Sequence, residues 1–240
     1  MSDERVLSRR ELLARAASTA VSVVVSQALL GCTDSAIADP GACVLTAALT
    51  EGPYFVDEML NRSDIRADPT SGVVSSGVPL QLTFKVARVV DGACTPLTGA
   101  YLDVWHCDSV GTYSDVAGAG SGKRFLRGYQ VTDADGMVRF TTIYPGWYQG
   151  RAVHVHFKLR IFAGATKTYE FTSQFFFNDA LSDAVYTLSP YSSRGTRSTR
   201  NSADGIYDSL STAAKAALTL QAAGDASGYA GVINLDVRVG

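Results

Sequence analysis

Histidine is scarce in this sequence, with three among 240 residues, and tryptophan is scarcer still, with two. Two histidines sharing one short segment therefore weigh more than they would in a histidine-rich chain. The four cysteines form no C-x-x-C pair, so the half-site from which tetrahedral zinc centres are usually built is missing. Positive charge is not in excess: 21 Lys and Arg face 23 Asp and Glu, for a formal charge of −2. The positive residues are scattered, no basic stripe tracks a phosphate backbone, and nucleic acid is not an expected partner. Internal repeats and low-complexity tracts are absent, which excludes the repeat architectures.

What is present is enough for one folded domain. Apolar residues make up 46% of the chain and aromatics 10%, which supports a full-sized core. The first residues behave as an address. Arg9-Arg10 precedes an uncharged, mostly apolar stretch from Ala16 to Leu30, followed by Gly31-Cys32. That stretch falls short of the about 20 residues that span a bilayer and has the layout of an export signal. The arginine pair resembles the twin-arginine type. Leu29-Leu30-Gly31-Cys32 resembles a lipobox, at which Cys32 would be lipidated and attach the protein to a membrane. Ala36-Ile37-Ala38 offers a rival cleavage point. The expected division is 1–38, export signal and linker, and 39–240, the working domain, located in the cell envelope or outside the cell. In an oxidising compartment two of Cys43, Cys94 and Cys107 should pair. Cys43 with Cys94 is favoured, because Cys94 sits in a turn and Cys107 at the far end of the following strand.

Beyond a loop-rich approach from Thr50 to Gly77, short β-branched and aromatic runs alternate with turn residues. The runs are Val78–Val90, Ala100–Cys107, Gly128–Thr132, Met137–Tyr144, Ala152–Phe162, Thr168–Phe177 and Gly231–Val239. Regular short strands with turn signals predict a mainly β protein, a β-sandwich with long loops. Asn178–Asp204 is polar and without periodicity and reads as a long surface loop. One short C-terminal helix is expected from about Asp208 to Gln221.

Two of the three histidines stand in one predicted strand, Arg151-Ala152-Val153-His154-Val155-His156-Phe157. Residues i and i+2 of a strand share a face, so both imidazoles can reach one metal, or both can face solvent; the pattern alone leaves these readings level. The preceding loop, Tyr144-Pro145-Gly146-Trp147-Tyr148-Gln149-Gly150, delivers tyrosine beside that strand. Upstream stand Thr50-Glu51-Gly52-Pro53-Tyr54-Phe55 and Gly111-Thr112-Tyr113-Ser114. Together with Arg127-Gly128 and Phe140-Thr141-Thr142, the order of these pieces resembles the intradiol ring-cleavage dioxygenases. The resemblance runs from about Thr50 to Asn178.

That resemblance implies a ligand set of Tyr113, Tyr148, His154 and His156 around non-haem Fe(III). Two phenolates and two imidazoles suit a hard, highly charged ion. It further implies Arg151, Gln174 and the displaceable Tyr148 as catalytic groups, with Pro53, Tyr54 and Trp147 at the substrate. The substrate would be a catechol-type aromatic, and O2 would open the ring between the two hydroxylated carbons to a muconate-type product. A homo-oligomer remains among the expected partners. Cytosolic members carry a longer insertion between the second tyrosine and the histidines, whereas here only Gln149 to Val153 intervene, so a more open site is expected. His106 is expected to be a hydrogen-bonded structural histidine, and Trp105 core. Two rivals stay open: a surface-anchored, transthyretin-like binding domain without catalysis, and a copper or iron oxidase giving quinones.

Overall fold

Apolar residues alternate along Pro79–Val90 (β1), so Leu80, Leu82, Phe84 and Val86 share one buried face. This strand is the spine of the first sheet in the computed structural model, which describes residues 43–239. The export segment and Cys32 lie outside the described residues. β1 runs parallel to Gly228–Val237 (β10), beside which lies Ala223–Asp225 (β9). On its other side β1 pairs antiparallel with Met137–Ile143 (β5) and then Ala93–Pro96 (β2). The second sheet has the order β4 (Arg127–Val131), β3 (Tyr101–Trp105), β6 (His154–Ala163), β7 (Thr166–Phe177) and β8 (Thr219–Leu220). Phe84 of the first sheet meets Phe157 and Phe175 of the second, with ring centroids 5.6 and 6.0 Å apart. The expected sandwich is therefore the observed architecture. Cys43 is joined to Cys94, the favoured pairing, and Cys107 is free and buried.

β6 departs from the usual strand with one wet face. Val155, Phe157 and Leu159 point into the core, yet His154, His156, Lys158 and Arg160 on the opposite face are buried as well. The loop-rich approach covers them: Glu51 pairs with Lys158, Phe55 lies 3.8 Å from the same ammonium, and Asp57 pairs with Arg160.

Two expectations need correction. Asn178–Asp204 is not a featureless surface loop. Asn178 caps the helix Asp179–Val185 (α1), Tyr191–Arg194 and Asn201–Ala203 form 3-10 turns, and Tyr191, Arg197, Thr199 and Asp204 are buried. The Tyr191 hydroxyl donates to Tyr144 O at 2.6 Å, and Tyr186 donates to Pro145 O at 3.0 Å. Long-range bonds to the tyrosine loop thus order the segment, and sequence periodicity cannot show them. The expected C-terminal helix is present but shorter than 208–221, and a separate turn of helix precedes it. Gly205–Asp208 (α2) and Thr212–Leu218 (α3) are separate, and Thr219–Leu220 leaves the helix to pair with Phe176 and Phe177 of β7.

Candidate metal centre

The β3–β6 register sets Trp105 opposite His156, and the indole stacks on that imidazole at 4.9 Å and 9°. His154, two residues earlier on the same face, turns its ring edge-on to His156. Tyr113 and Tyr148 arrive on separate loops that lock together through two glycines. Gly146 N donates to Asp108 O at 3.0 Å, and a Cβ on Gly146 would lie 2.4 Å from that oxygen. A Cβ on Gly111, whose φ is +82°, would lie 2.4 Å from Trp147 O. Side chains at either position would push the tyrosine loops apart.

The other three ligand candidates converge on His154 Nε2. Tyr148 Oη is 3.1 Å away, Tyr113 Oη 3.3 Å and His156 Nε2 3.1 Å. His154 Nδ1 lies 2.7 Å from Ala152 O; a carbonyl can only accept, so the proton sits on Nδ1 and the Nε2 lone pair faces the cluster. Burial drives the electrostatics. It lowers His154 to about 3 and holds His156 well below the usual imidazole range, and it raises Tyr148 to about 12 and Tyr113 well above the usual phenol range. Left alone the cluster is neutral and crowds four electron-pair donors into one spot. Among the described residues no three His, Cys, Asp or Glu side chains form a metal-binding group, so the donor chemistry rests on the two phenols and two imidazoles. Donor atoms that share one ion at about 2 Å lie roughly 3 Å apart, which is the spacing found. Hard phenolate oxygens with imidazoles fit ferric iron better than Zn or Cu(I).

The remaining site residues fall into place unevenly. Arg151 Nε donates to Asp204 Oδ2 at 2.9 Å, and its Nη2 donates to Gln174 Oε1 at 2.6 Å. Gln174 Nε2 in turn donates to Thr50 O at 2.7 Å. The Arg151 charge reaches all four candidates, lowering both tyrosines and opposing protonation of both histidines. Tyr54 stacks on Tyr113 at 4.4 Å and stands edge-on to Tyr148. Pro53 beside it is exposed. Trp147 lies under the Arg194 guanidinium at 4.7 Å, and its carbonyl, through Gly111, is what touches the Tyr113 loop. The expected openness is confined to the half-buried Tyr148, since Tyr113, His154 and His156 are nearly inaccessible.

His106 is structural: Nδ1 donates to Cys107 O at 2.8 Å, and Nε2 accepts from Thr142 Oγ1 at 2.6 Å. Trp105 is more than core, because it forms the platform for His156. Two residues went unassigned in sequence. Arg127 donates from Nε to Ser114 Oγ and from Nη1 to Tyr54 O, fastening the loop segments that carry Tyr113 and Tyr54. Asp204 sits in the segment misread as loop; its adjacency to Arg151 arises only in the folded chain.

A family model described as "Dioxygenase" matches residues 50–187, more than half of the chain. An intradiol ring-cleavage dioxygenase of Tetranychus urticae superposes with a TM-score of 0.69 at 28% identity, over 82% of this chain and 95% of that one. The dioxygenase domain of a dioxygenase carbohydrate-binding protein fusion from Streptomyces sp. SirexAA-E gives 0.58 at 29%, over 82% and 100%. Catechol 1,2-dioxygenase of Candida albicans is 33% identical over 113 residues, 45% of this chain and 35% of that protein. Protocatechuate 3,4-dioxygenase beta chain of Burkholderia cepacia is 35% identical over 104 residues, 38% of this chain and 44% of that protein. The chain belongs to the intradiol ring-cleavage dioxygenase family. It spans less than half the length of these two curated relatives.

Proposed function

We propose that the protein is a non-haem Fe(III) dioxygenase that opens a catechol-type ring between its two hydroxylated carbons with O2. The observation that carries this is the convergence of Tyr113 Oη, Tyr148 Oη and His156 Nε2 on His154 Nε2 within 3.1–3.3 Å. Ferric iron held by these four residues would supply the Lewis-acid and redox chemistry that lets a catecholate react with dioxygen.

The chain supplies the rest. Ala152 O holds the His154 proton away from the cluster. Tyr148 is the more accessible of the two tyrosines; as a ligand it gives up its proton, and its Oη is placed to take one back from an incoming catechol hydroxyl. Arg151 offers a fixed positive charge for negative charge building on the ring, and Gln174 fixes the guanidinium. Tyr54 walls the substrate side and, with the Glu51–Lys158 pair that anchors its segment, limits water. The Cys43–Cys94 disulfide supports the further reading that the protein is exported, since such bonds persist in oxidising compartments.

The test is to load the purified protein with ferric iron, record its visible spectrum and follow O2 uptake with catechol. A red to burgundy tyrosinate band and one O2 consumed per catechol, with an acyclic dicarboxylic acid as product, are expected. A colourless protein with stoichiometric zinc, or a quinone product, would contradict the reading.

A further inference from the structure

We propose that Asp204 is a positioning residue of this centre, acting through Arg151 and through the backbone that holds His154. The proposal rests on the dioxygenase reading above. Asp204 is 1% exposed and uses both oxygens. Oδ1 accepts from Ile206 N at 2.8 Å and Tyr207 N at 3.3 Å, capping α2. Oδ2 accepts from Ala152 N at 2.7 Å and from Arg151 Nε at 2.9 Å. A helix cap needs only the first pair, and serine or asparagine would serve as well. The second pair faces the centre and demands a carboxylate, because both of its partners are donors.

From that oxygen two chains of contact run to the ligands. One fixes Ala152, whose carbonyl accepts the His154 Nδ1 proton and so keeps the Nε2 lone pair in the cluster. The other fixes the Arg151 guanidinium, which holds Gln174, which holds Thr50 O at the root of the segment bearing Gly52 and Tyr54. Gly52 lies against His156, with an added Cβ 3.5 Å from Cε1. One carboxylate thus ties the C-terminal segment to both sides of the centre. Burial alone would raise its pKa, but the Ala152 amide and the Arg151 charge more than offset that, so it stays ionised below the usual range.

Asp204→Asn separates the two pairs: its Oδ1 still caps α2, while its amide presents donors to Ala152 N and Arg151. The first readout is independent of activity. In the ¹⁵N-labelled metal-free protein, only three histidines contribute imidazole signals, and the Nδ1–H form of His154 should be lost or mixed in the variant. The second is kinetic: kcat on catechol should fall about tenfold to a hundredfold, as for the outer partners of metal-ligating histidines. Combining the change with Arg151→Gln should add little further loss, as for two residues in one network. Asp204→Ser, too short to reach Arg151, gives a second arm should the asparagine variant not fold. An unchanged His154 signal with kcat within twofold of the parent, and only a lower Tm, would reduce Asp204 to a helix cap and overturn the proposal. A wild-type protein that consumes no O2 with catechol would defeat the dioxygenase reading by itself, and the imidazole spectrum would still decide the role of Asp204.

Discussion

The two ends of one buried strand face in β6 differ sharply in how their polar groups are satisfied. At the far end, Arg160 forks onto Asp103 at 2.8 and 2.9 Å and also pairs with Asp57, while Lys158 meets Glu51 and Glu170. Every charge there has an opposite charge. At the near end, His154 and His156 face two phenols and no carboxylate is bonded to either ring; the nearby charge pair, Arg151 with Asp204, is bonded to the Ala152 backbone and Gln174 rather than to the imidazoles. His156 Nδ1 and the Trp105 indole nitrogen are buried without a partner. The row is closed by opposite charges at its far end, whereas at its near end the lone pair of His154 Nε2 faces other donor atoms and no opposite charge, which is what the proposed cation would complete.

The comparison can be broken from either end. The largest effect belongs to His156→Ala, which removes one of the four donors. Turnover of catechol should fall well beyond the about hundredfold typical of lost outer partners, with loss of the tyrosinate band and little change in unfolding of the metal-free protein. Arg160→Met should do the reverse. It strands the buried Asp103 and should cost about 3–5 kcal/mol in urea unfolding, with the visible band of the ferric protein retained; a lost band would show that the two ends are coupled.

Third comes a histidine that is satisfied on both nitrogens. Burial lowers His106 to about 4, against about 6.5 in the unfolded chain. Its depressed folded pKa stabilises the protein fully above pH 6.5, and that stability drains away as pH falls towards 4. The contribution is about 3 kcal/mol, read as the difference in pH dependence between the parent and His106→Gln. The smallest effect is expected from Tyr148→Phe, which leaves three donors. Its visible band should weaken and kcat fall by about a hundredfold, the scale of one lost acid–base group; an unchanged spectrum would remove Tyr148 from the ligand set.

Much of this is legible in the sequence. The His154 and His156 pair follows from the two-residue period of a strand, and the short strands from their turn punctuation. Tyr113, Tyr148, Arg151 and Gln174 came from resemblance, and the fold brings all of them to the histidines. What stayed hidden depends on register and distance in the chain. Trp105 reads as core until the β3–β6 pairing sets it on His156. Asp204 lies 53 residues from Arg151 in sequence, inside a segment whose order comes from bonds to Tyr144 and Pro145 rather than from its own periodicity. The helix expected to reach Gln221 stops at Leu218 because pairing with β7 outweighs the helical preference of the last residues.

The central claim, that two tyrosines and two histidines form a ferric ring-opening centre, is tested most directly by running the reaction of the iron-loaded protein with catechol under ¹⁸O2. Mass analysis of the product should find an acyclic dicarboxylic acid carrying two ¹⁸O atoms, one in each new carboxylate. A quinone, or a product without label, would contradict it.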